Sequence, residues 1–358
     1  MAQPGFFDVD EWLAALSAAG DPLVRLSTVV DFELFRDVLD KALNRSDRSQ
    51  GGRPPYDAVL MFKVLVLQAL YSLSDDAVEF QIRDRLSLMR FLGLGLGDKV
   101  PDAKTVWLFR EQLVQAKAIE PLFARFDEAL HAAGYLAMGG QIIDATVVAA
   151  PRQKLNDDEK ATIRGGGTPP DWSKAKHRQK DTDARWTIKR GRRKHSETSE
   201  MKAAGVEIAV PIFGYKNHAG IDRRFGFIRR WCATSAAAHD SRPFEGLLDP
   251  KNTDARVWAD TAYRSKRNEA AMRKRRLISR VHFRKPKGKP LPPHHARANA
   301  ARSPVRSAIE HVFAGQKHRM KLFVRTIGIA RATMKIGMAN LAYNFQRLAW
   351  LDARSAPG

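Results

Sequence analysis

The chain has 358 residues, 44% of them apolar, which is enough for two or three domains with a sizeable core and excludes a disordered protein. Lys and Arg total 61 against 39 acidic residues, and the net charge of +22 points to a phosphate-rich partner. One cysteine, Cys232, excludes an internal disulfide and a multi-cysteine zinc site; no stretch of about 18 apolar residues argues for a membrane span.

The start lacks the charged and apolar regions of a secretory signal, so a cytoplasmic, bacterial protein is expected. Residues 6–45 read as helices, with Phe6, Phe7, Trp12, Leu13 and Leu16 as one apolar cluster and Phe32, Phe35, Val38, Leu39 and Leu43 as a second. A loop over 48–55 follows. Asp57 then opens a nearly all-apolar helix over 58–71, which must be buried on most sides. Ser74 to Asp76 caps a helix running to about Phe91, with Val78, Ile82, Leu86 and Met89 inward. The Gly93, Gly95, Gly97 run that ends it is no phosphate loop, since no Lys-Ser/Thr follows. Asp102 caps a helix to about Gln115, and another starts at Pro121. Short helices joined by tight turns fit two readings: a helix-turn-helix unit, or a helical domain that packs on a core or makes a dimer contact.

At Gly139-Gly140 the period changes, and residues 141–148 read as a buried strand with Asp144 in its middle. A carboxylate there is costly unless it is paired or binds a metal. Residues 151–205 read as a flexible basic insertion with Trp172 and Trp186 as candidate anchors; its run of Arg190, Arg192 and Arg193 fits two readings, a solvated linker or non-specific contact with a DNA backbone. Strands over 206–210, 212–218 and 225–234 form a hairpin, with Lys216 and His218 on one strand face. His239 to Ser241 reads as a helix cap. A short strand over 255–260 ends in Asp260, and the tip of a buried strand is where open sheets place their chemistry. A helix over 266–274, a strand over 277–281, and a basic, proline-rich loop over 283–302 follow, with His294-His295 as a loop pair and not a metal site.

Ser303 and Pro304 then open a helix carrying Arg306, Glu310 and Lys317. At roughly 100° per residue these three fall within about 40° of one another, one charged row beside an apolar stripe. Spacing alone fits an exposed helix with ion pairs, or a metal-binding Glu flanked by phosphate-binding cations. A last helix over 332–351 should pack back on the core.

Asp144 in mid-strand, Asp260 at a strand end and Glu310 on a late helix follow the order of a ribonuclease-H-like fold: an α/β core of mixed sheet and flanking helices, preceded by an all-α domain. The expected boundaries are 1–136, 137–330 and 331–358. The chain also resembles the DDE transposases of bacterial insertion sequences, closest to the insertion-sequence-five group. The resemblance lies in Pro54 to Lys63, Ile143 to Pro151, Gly214 to His218 and Trp258 to Ser265. It extends to a Tyr-x2-Arg-x3-Glu-x6-Lys signature, matched at Arg306, Glu310 and Lys317, with Ser303 in the Tyr position.

The resemblance implies a transposase that cleaves insertion-sequence ends and joins the freed 3′-hydroxyl to target DNA. It implies Asp144, Asp260 and Glu310 as ligands of two divalent ions, Mg2+ or Mn2+, with Asp144 bridging. Hard ions want such oxygen ligands, and two of them about 4 Å apart serve in-line attack on a phosphodiester. Arg306 and Lys317 would hold phosphates beside the site, with Lys216 and Tyr263 as further DNA contacts. The partner is double-stranded DNA, and synapsis of two ends implies a homodimer on DNA. The same acids would serve a nuclease that does not join strands, and a non-catalytic DNA-binding descendant is a third reading.

Overall fold

The computed structural model describes residues 8–43, 54–192 and 207–355. Eight helices come first: α1 (Asp8–Ala18), α2 (Pro22–Val29), α3 (Arg36–Leu43), α4 (Ala58–Tyr71), α5 (Asp75–Asp84), α6 (Leu86–Leu92), α7 (Ala103–Gln115) and α8 (Ile119–Ala132). Their starts are set by side-chain caps: Asp57 accepts from the Val59 and Leu60 amides, Ser74 from Ala77, and Asp102 from Thr105. The helix expected to run from Ser74 to Phe91 is broken at Arg85, which takes an extended conformation between α5 and α6. Gly93, in the left-handed region at φ 75°, ends α6. Phe32, Phe35 and Leu39 are buried as their spacing predicts, whereas Trp12 is exposed. Phe6 and Phe7 lie outside the described residues.

Six strands follow: β1 (Gln141–Ala149), β2 (Arg185–Arg192), β3 (Glu207–Asp222), β4 (Ile228–Ser235), β5 (Arg256–Ala259) and β6 (Ile278–Ser279). They form one mixed sheet in the order β2-β3-β1-β5-β6, with β4 also paired to β3. β3 is antiparallel to β1, β2 and β4, whereas β1, β5 and β6 run parallel. β3 runs unbroken through Pro211 to Asp222, farther than the two short strands that the sequence suggests. The described part of the basic insertion, residues 151–192, is also more ordered than expected. It holds α9 (Asp157–Arg164) and α10 (Lys174–Gln179) before β2. Asn156 and Glu159 make a reciprocal cap on α9. Glu159 then accepts from the Trp172 indole at 2.7 Å and from Lys176 at 2.6 Å, which ties the two helices together.

The remaining helices are α11 (Phe244–Leu247), α12 (Lys266–Lys274), α13 (Pro293–Arg306), α14 (Ala308–Ala314) and α15 (Ile329–Ser355). One sheet face packs on α11 and α12 through Ile143, Phe244, Leu247, Val257 and Met272. The other packs on α14, α15 and the N-terminal helices, where Ile142, Ile221, Ile228, Ile309, Phe345 and Phe62 belong to one continuous core. The long α15 is therefore a shared beam: it packs against β4 and against α2, α4, α7 and α8. Among the described residues no single helix is long and apolar enough to cross a membrane.

Candidate active site

The parallel register of β1 and β5 sets the centre of the site. Gln141, Ile142 and Ile143 stand opposite Val257, Trp258 and Ala259. One residue further on, Asp144 within β1 comes level with Asp260, the first residue past the end of β5, on neighbouring chains about 4.8 Å apart. Asp144 Oδ1 accepts the Ala145 amide at 2.8 Å. Asp260 leaves the sheet at the end of β5 and caps a short 3-10 turn, accepting the Thr261 amide and, at 2.9 Å, the Thr261 hydroxyl. Burial pushes the Asp144 carboxyl up to about 6; the Ala145 amide and Arg306 oppose this, and the charges of Asp260 and Asp240 add to it.

Arg306 joins the third acid to this pair. Its guanidinium donates to Asp144 Oδ2 at 3.1 Å and to Glu310 Oε1 at 2.7 Å. Glu310 itself is open to solvent, with 58% of its side chain exposed. The helix that carries these residues differs from expectation. α13 begins at Pro293, so residues expected in a loop are helical, and Pro304 lies inside it. Ser303 does not cap a helix; its hydroxyl donates back to Asn299 O at 2.9 Å. A break falls at Ser307, whose hydroxyl takes Pro304 O at 2.8 Å, the carbonyl that the next turn would use. Arg306 thus ends α13, Glu310 sits on α14, and Lys317 lies in a π-helical turn over Gly315–Arg319. The charged row spans three segments and not one helix.

A buried amide cluster holds the π turn to the sheet. Asn217 on β3 donates to Gln316 Oε1 at 3.1 Å and to Asn340 Oδ1 at 2.7 Å, and Gln316 donates to the same Asn340 oxygen at 2.7 Å. All three side chains are fully buried. Lys317 follows directly, and its half-buried ammonium has no ion-pair partner among the described residues. Burial lowers its pKa, with the charge of Lys189 on β2 adding to the effect.

Two of the expected DNA contacts face inward. Lys216 does share a strand face with His218, but that face is covered by the chain after β4. Its ammonium donates to Ala238 O at 2.7 Å and pairs with Asp240 at 2.7 Å. Tyr263 is 1% exposed: the 3-10 turn after Asp260 drives its ring into the core against Phe244. His218 is also buried and bonds Thr234 at 2.8 Å; burial brings its pKa down to about 4. Arg190 and Arg192 lie on β2, and Arg193 falls outside the described residues.

Three charged residues near the acids have surroundings that the residue pattern does not show. Asp240 does not cap α11; it pairs with Lys216, and its charge reaches Asp144. Arg264 and Arg302 lie over the Phe283 ring at 4.3 and 4.6 Å, and their charges, with those of Arg306 and Asp260, act on His282. Arg264 had a signal, since it stands four residues after Asp260. His295 stacks on Phe283 at 3.8 Å inside α13, so the His294-His295 pair is helical and not a loop.

Residues 136–345, more than half of the chain, match the transposase DDE domain family. The chain belongs to the DDE transposases. Residues 10–112 match a second family, the transposase domain DUF772, so the N-terminal helices are of transposase type as well. No solved structure matches the chain. The protein is therefore a DDE transposase enzyme with DNA as its substrate, and the family implies a ribonuclease-H-like core and the use of divalent metal ions. The all-oxygen donors of Asp144, Asp260 and Glu310 suit a hard cation, and the raised Asp144 carboxyl next to Asp260 is a pair whose repulsion a cation would relieve. Among the described residues, however, no three acids, histidines or cysteines already converge on one point, because Arg306 stands between Asp144 and Glu310.

Proposed function

We propose that the chain is a transposase of the insertion-sequence-five group that cleaves DNA at insertion-sequence ends and transfers the freed strand into target DNA. The observation that carries this reading is the β1–β5 register, which brings Asp144 level with Asp260, together with the Arg306 bridge from Asp144 to Glu310. In this reading Asp144, Asp260 and Glu310 hold Mg2+ or Mn2+ ions. Bound there, two such ions would activate the attacking oxygen and neutralise the leaving one. Arg306 occupies the space between two of the acids without metal, and would swing to a DNA phosphate as the acids close. Lys317 holds a second phosphate with a fixed charge beside the reacting strand. Lys216 acts through Asp240 as a positioning residue and Tyr263 as packing under Asp260; neither is a DNA contact. The basic segment of Arg190, Arg192 and Arg193 adds sequence-independent contact with the DNA backbone. The N-terminal helices bind DNA ends or a second copy, and the working state is a homodimer holding two ends in the cytoplasm.

The test is a labelled duplex made from the DNA that flanks the gene, incubated with protein and Mg2+ or Mn2+, with Glu310→Gln as the matched control. Cleavage at a defined end and joining into a second duplex, both lost in Glu310→Gln, are expected. Cleavage without joining would assign a nuclease instead. Equal cleavage by Glu310→Gln would remove Glu310 from the site.

A further inference from the structure

A cavity of about 170 Å³ lies where α4, α5 and α7 meet α15 and the segment leading to it. One water needs only about 10–15 Å³ on the same measure, so a small polyatomic ion and its hydration fit. Asp75 and Arg110 face the cavity from the N-terminal helices; Arg325, Thr326, Arg331 and Lys335 face it from the other side. It therefore spans the two segments that match separate transposase families.

The charges around the cavity do not balance. Arg110 grips Asp75 through two hydrogen bonds of 2.7 Å, and Gln68 donates to the same carboxylate at 2.8 Å. Arg331 grips Glu111 behind the wall, at 2.8 to 2.9 Å. Each carboxylate is thus taken by its own arginine. Lys335 and Arg325 are left with no hydrogen bond or ion pair among the described residues, although Arg325 lies over the Phe323 ring at 5.2 Å. The Thr326 hydroxyl is buried with no partner. Burial, with the charges of Arg110 and Arg325, lowers the Lys335 ammonium to about 8 against the opposing charge of Asp75, which leaves it mostly charged at neutral pH. Asp75 attracts Lys335 but is already held by Arg110, so the half-buried Lys335, with the exposed Arg325 beside it, retains attraction for an anion entering the cavity.

We propose that this cavity is a phosphate-binding site, in which Lys335 and Arg325 supply the charge and Thr326 a hydroxyl donor. A phosphate fits better than a singly charged anion, because two positive charges are unspent and a fork-shaped guanidinium is one of them. The phosphate comes either from a DNA backbone or from a free phosphorylated small molecule. Either occupant ties the N-terminal helices to α15 and thereby to the catalytic core. The site is independent of the catalytic reading, since none of its residues is among the three acids, Arg306 or Lys317.

The test uses the full-length protein. Thermal unfolding is followed against inorganic phosphate at constant ionic strength, for the wild type, Lys335→Met, Arg325→Gln and, as a surface control, Lys160→Met. A rise of about 2 °C is expected for the wild type and Lys160→Met at roughly ten times Kd. Less than a quarter of that rise is expected for Lys335→Met and Arg325→Gln. Lys335→Met removes a half-buried charge at similar volume and Arg325 is exposed, so both variants should fold. Binding of a random-sequence 20-base-pair duplex against salt then separates the sources. A slope shallower by about one in Lys335→Met assigns the phosphate to DNA. An unchanged slope with the phosphate response lost assigns a free ligand. If neither measurement separates the two cavity variants from the wild type, the cavity binds no phosphate.

Discussion

Replacing Asn340 by leucine tests whether the buried amide cluster that ties the π turn to the sheet acts as one unit. The substitution keeps the volume but removes the oxygen that accepts from both Asn217 and Gln316 at 2.7 Å, and the amide that donates to Asn217 Oδ1 at 3.2 Å. Two fully buried groups are then orphaned, Asn217 Oδ1 and Gln316 Nε2, at about 1–3 kcal/mol each. Allowing about 1 kcal/mol for the added apolar burial, the net loss is about 3 kcal/mol. At ~2.1 cal/mol/K per residue, the unfolding entropy of 358 residues is about 0.75 kcal/mol/K, so Tm should fall by about 4 °C. Asn217→Leu should cost about the same, because it orphans Gln316 Oε1 and Asn340 Nδ2. The double variant leaves only the Gln316 amide unpaired. With two orphaned groups offset by two leucine burials, it should therefore lose about 2 kcal/mol and not about 6, a coupling of about 4 kcal/mol. Urea denaturation of the four proteins followed by circular dichroism measures this. Additive losses within about 0.5 kcal/mol would refute the reasoning, because the amides would then not act as one unit.

Three further outcomes are expected. His218 is neutral and buried with a folded-state pKa of about 4, below its ordinary 6.5. The folded state therefore binds this proton more weakly than the unfolded chain does. Stability is fully present above pH 6.5 and falls by about 3 kcal/mol as pH drops towards 4. His218→Gln should flatten that acid limb in urea denaturation measured across pH, and parallel curves would exclude His218 as its source. In Gly337→Ala the new methyl would lie 2.3 Å from Ile119 Cγ1 and 2.6 Å from the Trp231 ring. Overpacking of about 1–3 kcal/mol should outweigh a helix gain of about 1 kcal/mol, and a raised Tm would show that α15 can shift. Lys317→Ala should weaken DNA binding, make its salt slope shallower by about one and slow cleavage, with the fold intact. Unchanged cleavage and an unchanged slope would remove Lys317 from the site.

The elements governed by near neighbours in the chain were legible from the residues alone. Asp57, Ser74 and Asp102 cap helices because a short acceptor side chain reaches amides two or three residues on. The strand around Asp144 follows from its β-branched run, and Asp260 at the tip of β5 from a short apolar stretch ending in an acid. What failed was decided by distant partners. The Ser303 cap was lost because the preceding basic segment is helical from Pro293, where it packs against β1 and β5. Lys216 and Tyr263 look available in a strand and a turn; whether the chain after β4 covers them is a tertiary matter.

By itself, the sequence determined the order of helices and strands, the surplus of positive charge and the three acids, since propensity, capping and composition act over a few residues. Only the tertiary structure decided that Asp144 stands level with Asp260, because strand register is fixed by pairing across the sheet. It alone placed Arg306 between Asp144 and Glu310, 162 residues apart from the first in sequence, and locked Asn217, Gln316 and Asn340 together. It alone brought Lys335 and Arg325, which have no ion pair of their own among the described residues, to a seam between two segments. Those relations depend on which surfaces a continuous core brings into contact, and no local pattern along the chain encodes that.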